Sequence, residues 1–152
     1  MKVEIREAGP EDAGAIMRLV HELARIEGVP STLTTDYVAV YLSAPGACVL
    51  LAETGGRALG LISYYVRPNL YHAGDCCLID ELVVDERARG QGIGGALLDA
   101  VVDRARAAGC AEVSLSTMPD NARAIAFYRR HGFTDEAVAL ERHFVGQRSV
   151  GD

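Results

Sequence analysis

The sequence predicts an α/β fold: one domain, residues 1–152, on a mixed, mostly antiparallel sheet flanked by helices. Three observations carry that expectation. The chain has 152 residues, 49% hydrophobic and 24% charged, the balance of a globular domain with room for one sizeable core. Period-2 segments and helical stripes alternate in the order β-α-α-β-β-β-α-β-α-β. A cluster of glycines at 90–95 joins the end of a strand to the start of a helix.

Val3 and Ile5 alternate with Lys2, Glu4 and Arg6, which reads as a first strand. Pro10, Glu11 and Asp12 form a first helical turn, because proline needs no N–H there and acids favour that end of the helix dipole. Ala13, Ile16, Met17, Val20, Leu23 and Ala24 then share one stripe, ended by Gly28 and Pro30. Leu33, Tyr37, Val40 and Tyr41 repeat the spacing and predict a second helix to about Ser43. Cys48 to Glu53, the Gly55-Gly56 turn and Ala58 to Val66 read as a hairpin. After a loop marked by Pro68, Asn69 and Gly74, Cys76 to Val84 is another strand. A helix from about Ile93 to Ala107 has Gly109 as its cap, Glu112 to Thr117 is a strand, and Asn121 to His131 a helix. Phe133 to Phe144 is expected to supply one or two closing strands.

Charge and composition exclude several classes. The formal charge is −6, which argues against non-specific binding to nucleic acid or anionic lipid. The longest apolar run, Ala47 to Ala52, is far short of the ~20 residues of a membrane helix. The opening residues lack the hydrophobic block of a signal peptide, so a cytoplasmic location is expected. Cys48, Cys76, Cys77 and Cys110 form no C-x-x-C pair and no metal spacing with histidine. Reduced, mostly buried thiols and no metal are the expectation, with His72, in a loop, the one histidine placed to touch a substrate or metal.

The strongest local signal is Val83-Val84-Asp85-Glu86-Arg87-Ala88-Arg89-Gly90-Gln91-Gly92-Ile93-Gly94-Gly95. Glycine lets the backbone approach a ligand, and the first N–H groups of a helix have no intrahelical acceptor, so such a turn offers donors to a phosphate. Gly90, Gly92 and Gly95 also satisfy the dinucleotide fingerprint G-x-G-x-x-G. That motif belongs after a first strand, whereas five elements precede the strand that leads into it here and too little chain follows. The nucleotide-triphosphate loop is excluded because the only lysine is Lys2.

Arg89-Gly90-Gln91-Gly92-Ile93-Gly94 resembles the R/Q-x-x-G-x-G/A signature of the GNAT acyltransferase superfamily. A second segment, Asn121-Ala122-Arg123-Ala124-Ile125-Ala126-Phe127-Tyr128-Arg129-Arg130-His131-Gly132-Phe133, resembles that superfamily's N-x-x-A-x-x-F/Y-Y-x-x-x-G-F pattern. Element order is similar from Val3 to about Phe144, and the surrounding residues look most like small-amine enzymes of the aminoalkylphosphonate and diamine type. The resemblance implies a GNAT-like domain that transfers acetyl from acetyl-CoA to a primary amine of a small molecule in a ternary complex. It implies cofactor contacts from Leu82, Val83, Val84, Arg89, Gly90, Gln91, Gly92, Ile93, Gly94, Gly95, Asn121, Ala124, Phe127 and Tyr128. A homodimer, often formed through the C-terminal strands, is also implied. The rival readings are a protein N-terminal or lysine acetyltransferase and a catalytically silent CoA-binding domain.

Acetyl transfer to an amine needs a neutral nucleophile, a stabilised oxyanion and a proton for the leaving thiolate. Asp80 and Glu81 lie inside an apolar strand, where desolvation raises a carboxylate pKa toward that of a useful base. Strand alternation sends them to opposite faces unless a bulge intervenes. In diamine-type relatives the matching acid aligns with Asp80, and Glu81 occupies the position many other relatives present to the acceptor. Tyr128 matches the family tyrosine that protonates the coenzyme A sulfur, and Asn121 reads both as a helix N-cap and as a cofactor contact. Tyr37, Tyr41, Tyr64, Tyr65 and Tyr71 are candidates to line the acceptor site. A cysteine acyl-enzyme is disfavoured because no histidine adjoins Cys76 or Cys77. Residues 87–130 carry seven arginines against four acids, +3, which leaves −9 for the remainder. The positive part coincides with the two motifs, and the negative part suits a cationic acceptor.

Overall fold

The computed structural model describes residues 2–145. Its sheet has five strands in sequential order, β1 (Glu4–Glu7), β2 (Ala47–Thr54), β3 (Arg57–Asn69), β4 (Gly74–Val84) and β5 (Val113–Ser114). All neighbours are antiparallel except β4 and β5, the pair joined through a helix. The helices are α1 (Ala13–Glu27), α2 (Thr35–Ser43), α3 (Ile93–Ala107) and α4 (Ala122–Arg130).

Local chemistry accounts for most boundaries. Pro10–Asp12 is a 3₁₀ turn leading into α1, which ends at Gly28 in the left-handed region, φ +74°. The Thr34 hydroxyl accepts the Tyr37 N–H at the start of α2. Gly55 and Gly56 both have positive φ, as a tight β2–β3 hairpin requires. The β3–β4 hairpin is longer than the sequence suggests, because pairing continues through Pro68↔Asp75 to Asn69↔Gly74 and leaves only 70–73 as loop.

The sheet separates two apolar layers. On one face Ile16 and Leu19 of α1 and Val38 of α2 pack on Val49, Leu51, Leu61 and Val83. On the other, Ile93, Leu97, Leu98 and Val101 of α3 pack on Leu50, Ile62, Cys77 and Ile79, with Phe127, Tyr128 and Phe133 at the margin. Asp85, just past β4, is buried and bonded to Arg18 of α1 and Arg57 of β3, which ties the end of β4 to the α1 side.

Two expectations at the C-terminal end need correction. Glu112 to Thr117 shrinks to the two residues of β5, and among the described residues 134–145 contribute no strand. A strand needs a ladder partner, and β5 offers an edge of only two residues. The apolar residues Val138, Leu140 and Phe144 of the expected closing strands are instead more than four-fifths exposed.

Candidate active site

β4 carries the site through one irregularity. Ser63 pairs with Glu81, and the next residue of β3, Tyr64, pairs with Ile79, so Asp80 is the extra residue of a β-bulge. The bulge changes the alternation. Before it, Cys77 and Ile79 face the α3 layer; after it, Leu82 and Val84 face that layer and Val83 the α1–α2 layer. Asp80 and Glu81 therefore both lie toward the α1–α2 side, where unbroken alternation would have separated them.

Glu81 is half-buried at the wall of a cavity of about 720 Å³ beneath α1 and α2. The Ser63 hydroxyl donates to Glu81 Oε1 at 2.8 Å and accepts the Glu81 backbone N–H at 3.0 Å, which fixes the carboxylate. Burial pushes the Glu81 carboxyl above its ordinary pKa; the Ser63 hydrogen bond opposes this and the Asp80 charge adds to it. Asp80 is raised by desolvation alone, although its side chain is largely open to solvent. The Tyr41 hydroxyl is buried with no hydrogen bond of normal geometry, and burial together with the nearby Glu81 and Asp80 charges, opposed by its contact with Ser63, pushes it to about 12. Tyr41 therefore stays a neutral donor. Tyr37 and Tyr41 line the cavity, whereas Tyr64 packs in the α3 layer, Tyr71 is exposed and Tyr65 lies elsewhere.

The second half of the site is a gap in the sheet. β4 and β5 pair only at Cys77↔Val113 and Leu78↔Ser114, while β3 follows β4 to Val84. From Ile79 onward the β5-facing edge of β4, including Leu82, Val83 and Val84, has no ladder partner among the described residues. The glycine turn follows. Gly90 and Gly92 have φ of +78° and +79°, and a Cβ at either would meet open space. The first intrahelical bond is donated by Ala96 to Gly92, which leaves the N–H groups of Ile93, Gly94 and Gly95 at the helix start without intrahelical acceptors. Gln91 is exposed in the turn and Ile93 is buried beneath it. The Arg89 guanidinium donates to the Val84 carbonyl and pairs with Glu22.

Gly94 and Gly95 also serve the contact between α3 and α4. A Cβ on Gly94 would lie 3.7 Å from Phe127, and one on Gly95 only 2.9 Å from the His131 ring, which is itself held by Asp99. Asn121 caps α4, its side-chain oxygen accepting the Ala124 N–H. Phe127 and Tyr128 meet edge to face, and Tyr128 also meets Phe133. Burial and the negative charge of Glu27 raise the Tyr128 phenol, so that charge links α4 to the end of α1.

Sequence reasoning missed Ser63 and Glu27. Ser63 carried a signal, since it is the polar residue in the apolar run Leu61-Ile62-Ser63-Tyr64. The cysteines are free, with Cys48 and Cys110 only partly buried, and burial pushes the Cys77 thiol to about 11, away from nucleophilic activation. His72, Cys76 and Glu112 bring metal-type donors within 4.8 Å of one another, a grouping that no sequence spacing announces. It lies toward the opposite end of β4 from Glu81.

A split parallel strand pair, a glycine turn at a helix start and a cavity walled in part by Glu81 make up the candidate site of this α/β domain. Residues 16–133 match the acetyltransferase (GNAT) family model, and the chain belongs to that family. It is 35% identical over 130 residues to an aminoalkylphosphonate N-acetyltransferase of Salmonella typhimurium, covering 86% of this chain and 84% of that protein. It is 31% identical over 158 residues to a thialysine N-epsilon-acetyltransferase of Bos taurus, covering 93% and 89%. A solved structure of a putative acetyltransferase from Agrobacterium tumefaciens superposes with a TM-score of 0.84 at 26% identity, covering 92% of this chain and 99% of that one. The protein is therefore an acetyltransferase enzyme, and its family uses acetyl-CoA as cosubstrate.

Proposed function

We propose that the protein transfers an acetyl group from acetyl-CoA to the primary amine of a small molecule by direct attack, with both substrates bound. The observation that carries this reading is the β4 bulge. It puts Asp80 on the same side of the sheet as Glu81, which lines the cavity beneath α1 and α2, while the same strand runs on, unpaired on its β5 side, to the glycine turn. A cavity of about 720 Å³ suits a small molecule, since such sites span roughly 300–1,000 Å³. The names of the relatives, which act on aminoalkylphosphonates or thialysine, support an amine acceptor.

In this reading Glu81, held by Ser63 and assisted by Asp80, takes the proton from the substrate ammonium. The neutral amine forms its bond to the thioester carbonyl carbon, the carbon–sulfur bond breaks as Tyr128 donates its proton to the departing thiolate, and the second proton shed by the acylated nitrogen returns through solvent to restore the phenol. The free edge at Leu82, Val83 and Val84 receives the pantetheine arm and polarises the carbonyl. The open N–H groups of the turn and of the first turn of α3, with Arg89, receive the pyrophosphate. Asn121, Ala124 and Phe127 shape the wall contributed by α4. Self-association through 134–145 is supported by the exposure of Val138, Leu140 and Phe144.

The test is a panel of primary amines with acetyl-CoA, read by free-thiol release and by mass of the product. Acetylated amine in step with thiol is expected. Acetyl-CoA binding without turnover on any amine would overturn the enzyme reading in favour of a silent CoA-binding domain.

A further inference from the structure

We infer that the acceptor carries its amine on an apolar body, as an alkylamine or arylalkylamine does, and that aminoalkylphosphonates are disfavoured. This rests on the acetyltransferase reading of the same cavity. Ile16, Val20 and Leu23 of α1, Leu33 before α2, and Leu42 at its end present hydrocarbon to the space, with Leu61 of β3 below. At one point of the wall stand the polar groups that suit an amine: Glu81 with Ser63, and the Tyr41 hydroxyl, buried and lacking a normal hydrogen bond. A bound amine nitrogen gives that hydroxyl a well-aligned partner beyond its contact with Ser63.

For an anion the cavity offers hydroxyls of Ser31, Thr32 and Thr34 but no full positive charge to neutralise it. Among the described residues no lysine or arginine lines it, and its ionisable lining groups are Glu27, Glu81, His143, Tyr37 and Tyr41. His143, the one described lining residue able to carry positive charge, faces Glu141 at 3.8 Å. The cations of α1 are engaged elsewhere, Arg18 with Asp85 and Arg25 with Glu22 and Glu86, while Arg89 is paired with Glu22. A phosphonate in this space loses its hydration, finds no guanidinium, and lies near Glu81 and Glu27. The most similar relative described above acts on such a compound, so the cavity lining marks a divergence in acceptor chemistry.

The test compares kcat/KM for n-alkylamines from propylamine to hexylamine, phenethylamine, 2-aminoethylphosphonate and 2,4-diaminobutyrate. Each added methylene is expected to raise kcat/KM about fourfold until the cavity is filled. The phosphonate is expected at least ~10-fold below propylamine, because its charge is left unpaired on desolvation. Tyr37→Arg, at a half-exposed position on the rim, is expected to narrow or reverse that preference. A flat alkyl series, or a phosphonate equal to or better than propylamine in the unsubstituted protein, overturns the inference. Calorimetry in the presence of coenzyme A separates this from failure of the enzyme reading. Tighter binding of hexylamine than of 2-aminoethylphosphonate without turnover upholds the acceptor inference while the chemistry fails; absence of that difference overturns it.

Discussion

At the scale of single residues, the reactivity of Glu81 is set by three opposing neighbours. Burial and the Asp80 charge favour its protonated form, and the Ser63 hydrogen bond favours the carboxylate. A base must be deprotonated, so activity is expected to rise with pH through an acid limb lying above the ordinary glutamate range. Asp80→Asn removes a raising charge and should move the limb of a kcat/KM profile down. Ser63→Ala removes a lowering hydrogen bond and should move it up; parallel shifts in the two variants would contradict the assignment. Glu81→Gln is expected to lower kcat by about 100-fold, the scale of a lost general base. Tyr128→Phe should reduce kcat comparably and leave acetyl-CoA affinity, measured by calorimetry, almost unchanged. Both acids and Tyr128 were singled out from the sequence, as carboxylates within an apolar strand and as part of a motif. The common orientation of the acids was not, because the extra residue at Asp80 is visible only against the register of β3.

At the scale of elements, periodicity and punctuation located α1, α2, α3, α4 and the β2–β3 hairpin. Those signals are local: a stripe, a cap, a pair of glycines at positive φ. Gly46 shows where locality stops. Its φ is +83°, and a Cβ there would collide with the Val66 carbonyl oxygen, a contact between the residue before β2 and β3 that no turn rule reveals. Gly46→Ala is expected to cost about 2–4 kcal/mol by chemical denaturation, combining left-handed strain with overpacking. Gly109 has φ +77° but open space around it, so Gly109→Ala should cost only about 1–2 kcal/mol. The closing strands failed for the related reason that an apolar pattern in 133–144 needs an edge to pair with, and two residues of β5 do not supply one.

At the scale of the molecule, carboxylates fasten the layers and give stability a pH dependence. Arg6 holds Asp12 below the usual aspartate range; for Asp85 the Arg87 backbone N–H leads, with Arg18 and Arg57 adding to it. A depressed folded pKa contributes stability that is present above the unfolded value and lost as pH falls through the folded one. The urea midpoint is therefore expected to drop below about pH 4, where unfolded aspartate takes up protons. Asp85→Asn should lower the midpoint at pH 7 and flatten that drop. Glu81, whose folded pKa is raised, acts oppositely, so Glu81→Gln should stabilise the protein at pH 7. The exposed apolar side chains of 134–145 predict self-association by light scattering, reduced by Val138→Ser with Leu140→Ser. By itself the sequence determined the order of elements, the two motifs that identify the family and the residue types the chemistry requires, because these depend on neighbours a few positions apart. Only the tertiary structure decided that Asp80 and Glu81 share a face, that β4 parts from β5, and that the cavity wall is hydrocarbon, because each depends on the register and packing of segments distant in the chain.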